Sequence, residues 1–326
     1  MRLPPSKKRA LFKSWNARLL AISGRLINLQ SKSRAELVAK HHYDLGNDFF
    51  RRWLDRNMQY SCAYWAHGAK TLDEAQLNKM QLVAQKLKLR PGQRVLEIGF
   101  GWGGLACFLA KHYHVHVTGI TVSKEQLEGA KELAQREGVE DMTRFLFADY
   151  RQLQSSHEQP YDRILSIAML EAVGYKNLTD YFRIVSHSLK PGGLALIHAI
   201  CAGKSNKFAV QYSWITKYIF PNGFLPSLAQ MCSFRPLAHA VDLGLLLVED
   251  VQNLGPDYDA TLLAWNQRFQ AYRAENEESA VLAKRKSSVV FHRMWEFYLL
   301  YCAAGFRTRG TQVYQVVYSK QREERG

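Results

Sequence analysis

The spacing of apolar residues changes period several times along the chain, and each change marks an element. Over residues 1–40, Phe12, Trp15, Leu19, Ile22, Leu26 and Leu29 recur at steps of three and four, which is one face of a helix. An aromatic-rich stretch follows at 41–65, then a helical pattern from Thr71 to Leu89 that Arg90-Pro91-Gly92 ends. Beyond it, short apolar runs alternate with helical periodicity. Strands are predicted near 93–98, 114–120, 143–148, 161–167 and 193–200, with helices near 103–112, 123–137 and 177–189. Pro191-Gly192-Gly193 reads as the turn into the fifth strand. Residues 201–240 break the rhythm with aromatics and Pro221-Asn222-Gly223, and are predicted to be an insertion over the site. Leu243–Val251 and Thr311–Ser319 are later strand candidates, with helices near 259–276 and 287–304 between them. Strands alternating with helices in this way predict an α/β fold with a doubly wound parallel sheet. Its ligands lie outside the carboxyl ends of the strands.

The first of those strands runs into Val95-Leu96-Glu97-Ile98-Gly99-Phe100-Gly101-Trp102-Gly103-Gly104. Four glycines remove side chains where the backbone must turn sharply and let a ligand come close. A dinucleotide site would want a carboxylate about 20 residues on, for a ribose hydroxyl. The second strand ends His116-Val117-Thr118-Gly119-Ile120-Thr121, with no acid at its tip, and no lysine stands in a GKS/T context. A small adenosyl ligand without phosphates, S-adenosylmethionine, therefore fits the loop better. Asp149-Tyr150, after the third strand, could supply a carboxylate and a ring to an adenine, or could form an ordinary exposed loop.

Composition changes the picture in one respect. Apolar residues make up 47% and charged ones 22%, an ordinary globular mix, but the formal charge is +15. Residues 1–40 hold ten basic residues against Glu36 alone. A basic amphipathic helix with Trp15 and Phe12 on its apolar side suits an anionic phospholipid membrane surface. Each Lys or Arg there contributes about 1 kcal/mol at most. Packing within the chain, or in a homodimer, is the alternative use of that helix. No apolar stretch approaches the roughly 20 residues that span a bilayer, and Lys7, Lys8, Arg9, Lys13 and Arg18 interrupt any signal-peptide core. Five cysteines without a CxxC spacing point to reduced thiols in a cytoplasm, and to no metal site. The expectation is a cytoplasmic protein held peripherally at the inner face of the membrane. The domain plan is a basic segment at 1–40 and a catalytic domain at 41–326 carrying the 201–240 insertion.

Several segments resemble the cyclopropane-fatty-acyl-phospholipid synthases, in that family's order. They are His42-Tyr43-Asp44-Leu45-Gly46-Asn47-Asp48-Phe49-Phe50, Tyr60-Ser61-Cys62-Ala63-Tyr64-Trp65, the glycine loop, and Gly119-Ile120-Thr121-Val122-Ser123-Lys124-Glu125-Gln126. Glu171-Ala172-Val173-Gly174, Lys217-Tyr218-Ile219-Phe220-Pro221, Asp257-Tyr258 and Tyr301-Cys302-Ala303-Ala304-Gly305-Phe306 complete the set, over roughly residues 41–319. The resemblance implies a class I, Rossmann-like S-adenosylmethionine-dependent methyltransferase fold with a helical insertion over the site. It also implies methylene transfer to the cis double bond of an unsaturated phospholipid acyl chain, through a carbocation and with bicarbonate as base.

By the same resemblance Tyr60, Ser61, Gly99, Gly101, Trp102, Gly103, Thr121, Gln126, Asp149 and Tyr150 line S-adenosylmethionine. Cys62, Glu171, His198, Ile200 and Tyr258 hold the bicarbonate, Cys62 and Ile200 largely through backbone groups. Tyr43 stands where the family places a ring beside the passing positive charge, and Cys302 where it has an active-site cysteine. Ordinary roles compete with each of these. Glu171 could be a solvated turn residue, His198 a satisfied core group inside an apolar strand, and Cys302 a small buried hydrophobe. Phe208, Tyr212, Trp214, Tyr218, Phe220 and Phe224 could be core or could line an acyl-chain channel.

The chain departs from the family at Phe100, where cysteine is more usual, and at Asn222, where glycine is. Only about 40 residues precede the first motif, where full-length bacterial synthases carry a lipid-binding domain. A small-molecule N-methyltransferase of the same superfamily is the chief rival, and a lipid methyltransferase giving a methyl-branched chain is the second. Nucleic acid is not expected as a partner, because Ser166–Glu171 shows no Asn/Asp-Pro-Pro-aromatic motif.

Overall fold

A computed structural model describes residue 30 and residues 46–155, 159–203, 214–220, 223–232, 246–277 and 289–321. The basic segment 1–40, apart from Gln30, lies outside the described residues, as do Tyr43, Phe208, Tyr212 and Pro221-Asn222.

The predicted alternation is present. Helix α1 (Asn47–Arg51) and helix α2 (Leu72–Lys86) lead into strand β1 (Arg94–Ile98), helix α3 (Gly104–Tyr113), strand β2 (His116–Thr121), helix α4 (Lys124–Glu137) and strand β3 (Thr143–Phe147). Strand β4 (Tyr161–Ile167), helix α5 (Leu170–Val173), helix α6 (Leu178–Ser188) and strand β5 (Leu189–Ala202) follow. The rest comprises helix α7 (Trp214–Tyr218), helix α8 (Leu228–Cys232), strand β6 (Leu246–Asn253), helix α9 (Gly255–Glu277), helix α10 (Val289–Arg307) and strand β7 (Thr311–Lys320). Local signals set several boundaries. Thr71 and Glu74 form a capping box at the start of α2, Ser123 caps α4, and Gly138 ends α4 in the left-handed conformation.

The sheet has seven strands in the order β3-β2-β1-β4-β5-β7-β6. The first five are parallel, and β7 and β6 join them antiparallel at the β5 side. One local expectation is corrected. Pro191-Gly192-Gly193 is not a turn before the fifth strand but an irregularity within it. Leu189 already pairs with Tyr161, and the register shifts before Leu194 meets Arg163. Gly192, at φ 73°, absorbs the displaced residues.

Three apolar clusters form the core. Helices α2, α3 and α4 pack on one face of the sheet around Val83, Leu105 and Leu109. Helix α6 covers the other around Tyr181, Phe182 and Val185. The third cluster sits by the carboxyl ends of the strands and is strongly aromatic. Phe49, Phe50 and Trp53 meet Trp265 and Phe269 of α9 and Trp295 and Tyr298 of α10. Adjacent rings there meet mostly edge-on or tilted, the favoured geometries for aromatic pairs. Phe100 is buried too, with its ring 4.7 Å from that of Phe145.

The segment after α1 passes directly behind the glycine loop. A Cβ added at Gly104 would lie 1.9 Å from the carbonyl oxygen of Asn57. An alanine near a helix start ordinarily stabilises by up to about 1 kcal/mol relative to glycine. At Gly104 the sign reverses, because backbone must move. Gly104→Ala is expected to lower stability by about 1–3 kcal/mol, read as a lower denaturant midpoint at unchanged slope.

Candidate active site

The glycine loop turns through left-handed backbone at Gly99, Gly101 and Gly103, with φ of 82°, 57° and 81°. Cβ atoms at Gly99 and Gly103 would meet Met169 at 2.9 Å and Ala130 at 2.7 Å. A Cβ at Gly101 would meet nothing within 4 Å. Packing therefore demands two of these glycines, while Gly101 borders open space where a ligand can approach. Trp102 does not face that space alone. Its indole N–H donates to Asn47 Oδ1 at 2.7 Å and its ring packs on Phe50, which ties the loop to α1. Past the tip of β2, the Thr121 hydroxyl donates to Gln126 Oε1 at 3.0 Å, fixing both predicted positions.

Asp149 and Tyr150 follow β3. The Asp149 carboxylate accepts from the Arg151 guanidinium at 2.8 Å and from the Arg151 backbone N–H at 2.9 Å. The Tyr150 ring is buried edge-on to Tyr181, 5.3 Å between centroids, under the Arg151 guanidinium. Burial pushes its phenol up to about 12.

Residues 59–62 form no strand and bend at Ser61, and the contacts of their side chains divide between two sides. Gln59 and Ser61 face α2, where Lys79 Nζ donates to the Gln59 side-chain carbonyl and, at 3.1 Å, to Ser61 Oγ. One turn earlier, the Gln76 amide donates to the carbonyl oxygens of Gln59 and Ser61 at 3.3 and 2.9 Å. Tyr60 and Cys62 face the opposite way. The Tyr60 hydroxyl is 2.9 Å from that of Tyr298 on α10, and the Cys62 thiol donates to the Leu254 carbonyl at 3.5 Å. Burial pushes the Cys62 thiol up, so it is held as a neutral thiol.

Glu171 and His198 come from the ends of β4 and β5. Ala168, just past β4, takes a left-handed φ of 54° and donates its N–H to the His198 carbonyl at 2.8 Å. This strained turn launches α5, which carries Glu171. Glu171 Oε1 accepts from the Ile200 backbone N–H at 2.6 Å, and Oε2 is buried with no partner among the described residues. Burial raises the Glu171 carboxyl to about 7. His198 is fully buried, and burial pushes its pKa down to about 3, so the ring is neutral. The Gln315 amide nitrogen lies 3.3 Å from Nδ1; in that amide orientation Nδ1 accepts and the ring proton sits on Nε2, itself buried and unpartnered. Two hydrogen-bond donors, the imidazole Nε2–H and the Glu171 acid below its pKa, thus lack protein acceptors.

Tyr258 is buried on α9, stacked on Phe306 at 4.5 Å. Its phenol is pushed well up by burial and by nearby Cys62, Tyr60, Glu171 and Cys302, so the fold brings these positions together. Cys302 lies on α10, and burial raises its thiol to about 12. A resting thiolate is not available there for covalent work.

The sequence reading missed Lys79, Gln76, Gln59, Glu97 and Tyr298. Burial raises the Glu97 carboxyl and lowers the Lys79 ammonium, while their mutual attraction opposes both shifts. A signal was present: Gln76 and Lys79 interrupt the apolar stripe Leu72, Ala75, Met80, Val83 of α2, where a solvated residue would not sit. Lys79→Met keeps the length of the stem but strands Gln59 and Ser61. It is expected to cost about 2–3 kcal/mol, measured by chemical denaturation, whereas Lys88→Met on the exposed turn should cost under about 0.5 kcal/mol.

Comparison with known proteins places this geometry. The sequence profile of the mycolic acid cyclopropane synthetase family matches residues 30–316. The chain is 47% identical over 303 residues to the cyclopropane-fatty-acyl-phospholipid synthase of Escherichia coli strain K12, covering 92% of this chain and 72% of that one. It superposes on the mycolic acid cyclopropane synthase CmaA1 complexed with SAH and CTAB at a TM-score of 0.75 and 31% identity, over 87% of this chain and 98% of that one. Coclaurine N-methyltransferase, at a TM-score of 0.69 but 22% identity, shares the fold over 96% of this chain and 91% of its own. The matched region contains the glycine loop, Glu171, His198 and Tyr258, and on that extent the chain belongs to the mycolic acid cyclopropane synthetase family.

Proposed function

We propose that this protein is a cyclopropane-fatty-acyl-phospholipid synthase. It would transfer a methylene from S-adenosylmethionine to the cis double bond of an unsaturated phospholipid acyl chain. The observation that carries this reading is a pair of buried hydrogen-bonding groups without protein partners, Glu171 Oε2 and His198 Nε2, at the carboxyl ends of β4 and β5, with Glu171 beside Tyr258 of the aromatic cluster. The similarity to the Escherichia coli synthase supports the choice of acceptor. The rival N-methyltransferase reading has only a likeness of fold behind it.

The residues present fit S-adenosylmethionine. Gly101 leaves open space above the turn, and Thr121, Gln126 and Tyr60 are held beside it by fixed hydrogen bonds. When bound, S-adenosylmethionine supplies a methyl carbon on a sulfonium, electrophilic enough for an alkene. The alkene takes that carbon, positive charge develops on the second alkene carbon, and one methyl proton must leave as the ring closes. Rings of Tyr258, Tyr298, Trp265 and Phe220 keep the chamber dry and turn polarisable faces and edges toward a passing cation. Cys62 and Cys302, held as neutral thiols, add no competing nucleophile.

The donor set also fits a bicarbonate ion, which when bound would accept the departing proton. His198 Nε2–H donates at any pH above about 3, and Glu171 Oε2–H donates only while protonated. The Ile200 N–H is already spent on Glu171 Oε1, so Ile200 would act by aligning that carboxyl. Directed at one anion, both groups would donate below the Glu171 pKa, and above it Glu171 would be a repulsive carboxylate.

Two measurements check the proposal. Purified protein incubated with labelled S-adenosylmethionine and unsaturated phospholipid vesicles should yield acyl chains heavier by one CH₂ and lacking the double bond. Label on a small amine with unaltered lipid would sink the synthase reading. Turnover should decline as pH rises through about 7, where Glu171 ionises. Glu171→Gln keeps a donor at every pH and should flatten that limb, while Glu171→Ala should lose about 10²-fold in kcat.

A further inference from the structure

Helix α10 has two unlike faces. Inward, Trp295, Tyr298 and Leu299 close the aromatic chamber beside Tyr60 and Tyr258. Outward, its exposed apolar residues are Val289, Val290, Phe297, Leu300, Tyr301 and Ala304. Val290 is 75% exposed, and Phe297 and Tyr301 about half. The remaining exposed residues of the helix are Arg293 and Arg307; Glu296 flanks this face half-buried and is paired with Arg273 of α9 at 3.9 Å. Arg307 is engaged by Asp259 of α9, at the carboxyl end of the helix. Rings on the face are ordered against one another. Phe297 stacks on Tyr301 at 5.6 Å and meets Trp214 of α7 edge-on at 4.9 Å, and Tyr218 extends the patch with half its surface exposed.

A solvated helix of this length would mix acidic and basic residues outside. Here large apolar and aromatic groups are held in contact with water, Arg293 is among them, and the flanking acids Glu296 and Asp259 are each paired with an arginine, a composition suited to an anionic lipid interface. Phe, Tyr and Trp suit the headgroup boundary, where one end of the ring is apolar and the other wet. The chain's formal charge of +15 favours the same partner.

We propose that the outer face of α10, with Trp214 and Tyr218, is the surface that docks on the phospholipid bilayer and delivers an acyl chain to the site behind it. The inference deepens the synthase reading and rests on it for the identity of the chain delivered. Binding itself is independent of turnover, so the two are separable.

Phe297→Glu/Tyr301→Glu is compared with the unaltered full chain on vesicles of unsaturated phosphatidylglycerol and phosphatidylethanolamine. Sedimentation should show vesicle affinity reduced about tenfold or more by the double change. Turnover of the same phospholipid dispersed in detergent should stay within about twofold, since neither side chain is in the chamber. Should the double variant fold poorly, Val290→Glu at the most exposed position is read in the same way. Unchanged vesicle affinity overturns the proposal, and so does binding that added salt abolishes equally in both proteins, which would assign it to the basic segment. A shift from dimer to monomer in sedimentation velocity with vesicle affinity retained would make the face a self-association surface instead. If the unaltered protein binds vesicles through this face but makes no lipid product, the docking surface stands and the synthase reading fails.

Discussion

A buried ammonium group registers the two halves of the site. Lys79 has no access to water, so its charge must be met inside: Gln59 and Ser61 accept from it, and Asp55 foremost, then Glu97, lie near enough to oppose its loss of charge. Stranding any of these would cost the desolvation of a polar or charged group, which penalises sliding of α2 against the segment 59–62 in front of it. Because the contacts of residues 59–62 divide between two sides, holding Gln59 and Ser61 from behind also aims Tyr60 and Cys62 forward. Tyr60 then reaches Tyr298, and the wall built from α9 and α10 is set against the floor built from the sheet. Glu97 sits two residues before Gly99, so the same cluster underlies the glycine loop.

The loop itself is shaped by protein packing as much as by any ligand. Gly99, Gly103 and Gly104 are each required by a neighbour, namely Met169, Ala130 and the Asn57 carbonyl. Gly119 on β2 admits the ring of Phe100, whose atoms a Cβ there would approach to 2.7 Å. The phenylalanine at a position where the family more often has cysteine is thus accommodated by packing on Phe145, with the turn intact. Of the loop glycines, Gly101 alone borders open space. A glycine cluster in sequence signals close approach, but it does not say whether the thing approaching is substrate or backbone.

Burial then divides the ionisable residues of the chamber by role. Desolvation favours neutral forms, so Glu171 becomes an acid near neutrality, His198 a neutral donor and the thiols inert. An apolar, aromatic surround that would be merely structural elsewhere sets the protonation states that the chemistry needs. The same helix that completes this surround presents an apolar outer face, so the aromatic cluster and the proposed docking surface share one element.

Much of this was legible from the chain alone. Periodicity located the five parallel strands and the helices between them to within a few residues, because alternation and helical spacing are local properties. The glycine loop and the missing acid after β2 indicated the adenosyl ligand, since those features report on backbone clearance and charge. The family resemblance supplied Glu171, His198 and Tyr258 as site residues, but not their ionisation. Three matters waited for the tertiary structure. The Pro-Gly-Gly turn became an irregularity within β5 because Tyr161 on a distant strand pairs with Leu189 ahead of it. Lys79 stands on the apolar stripe of α2, but only the fold shows what receives its charge, by placing Gln59, Ser61, Asp55 and Glu97 around it. The bare outer face of α10 was indistinguishable in sequence from the face buried in the chamber, because both are aromatic. Local pattern settles what an element is, and only the packing of distant segments decides which of its faces meets water.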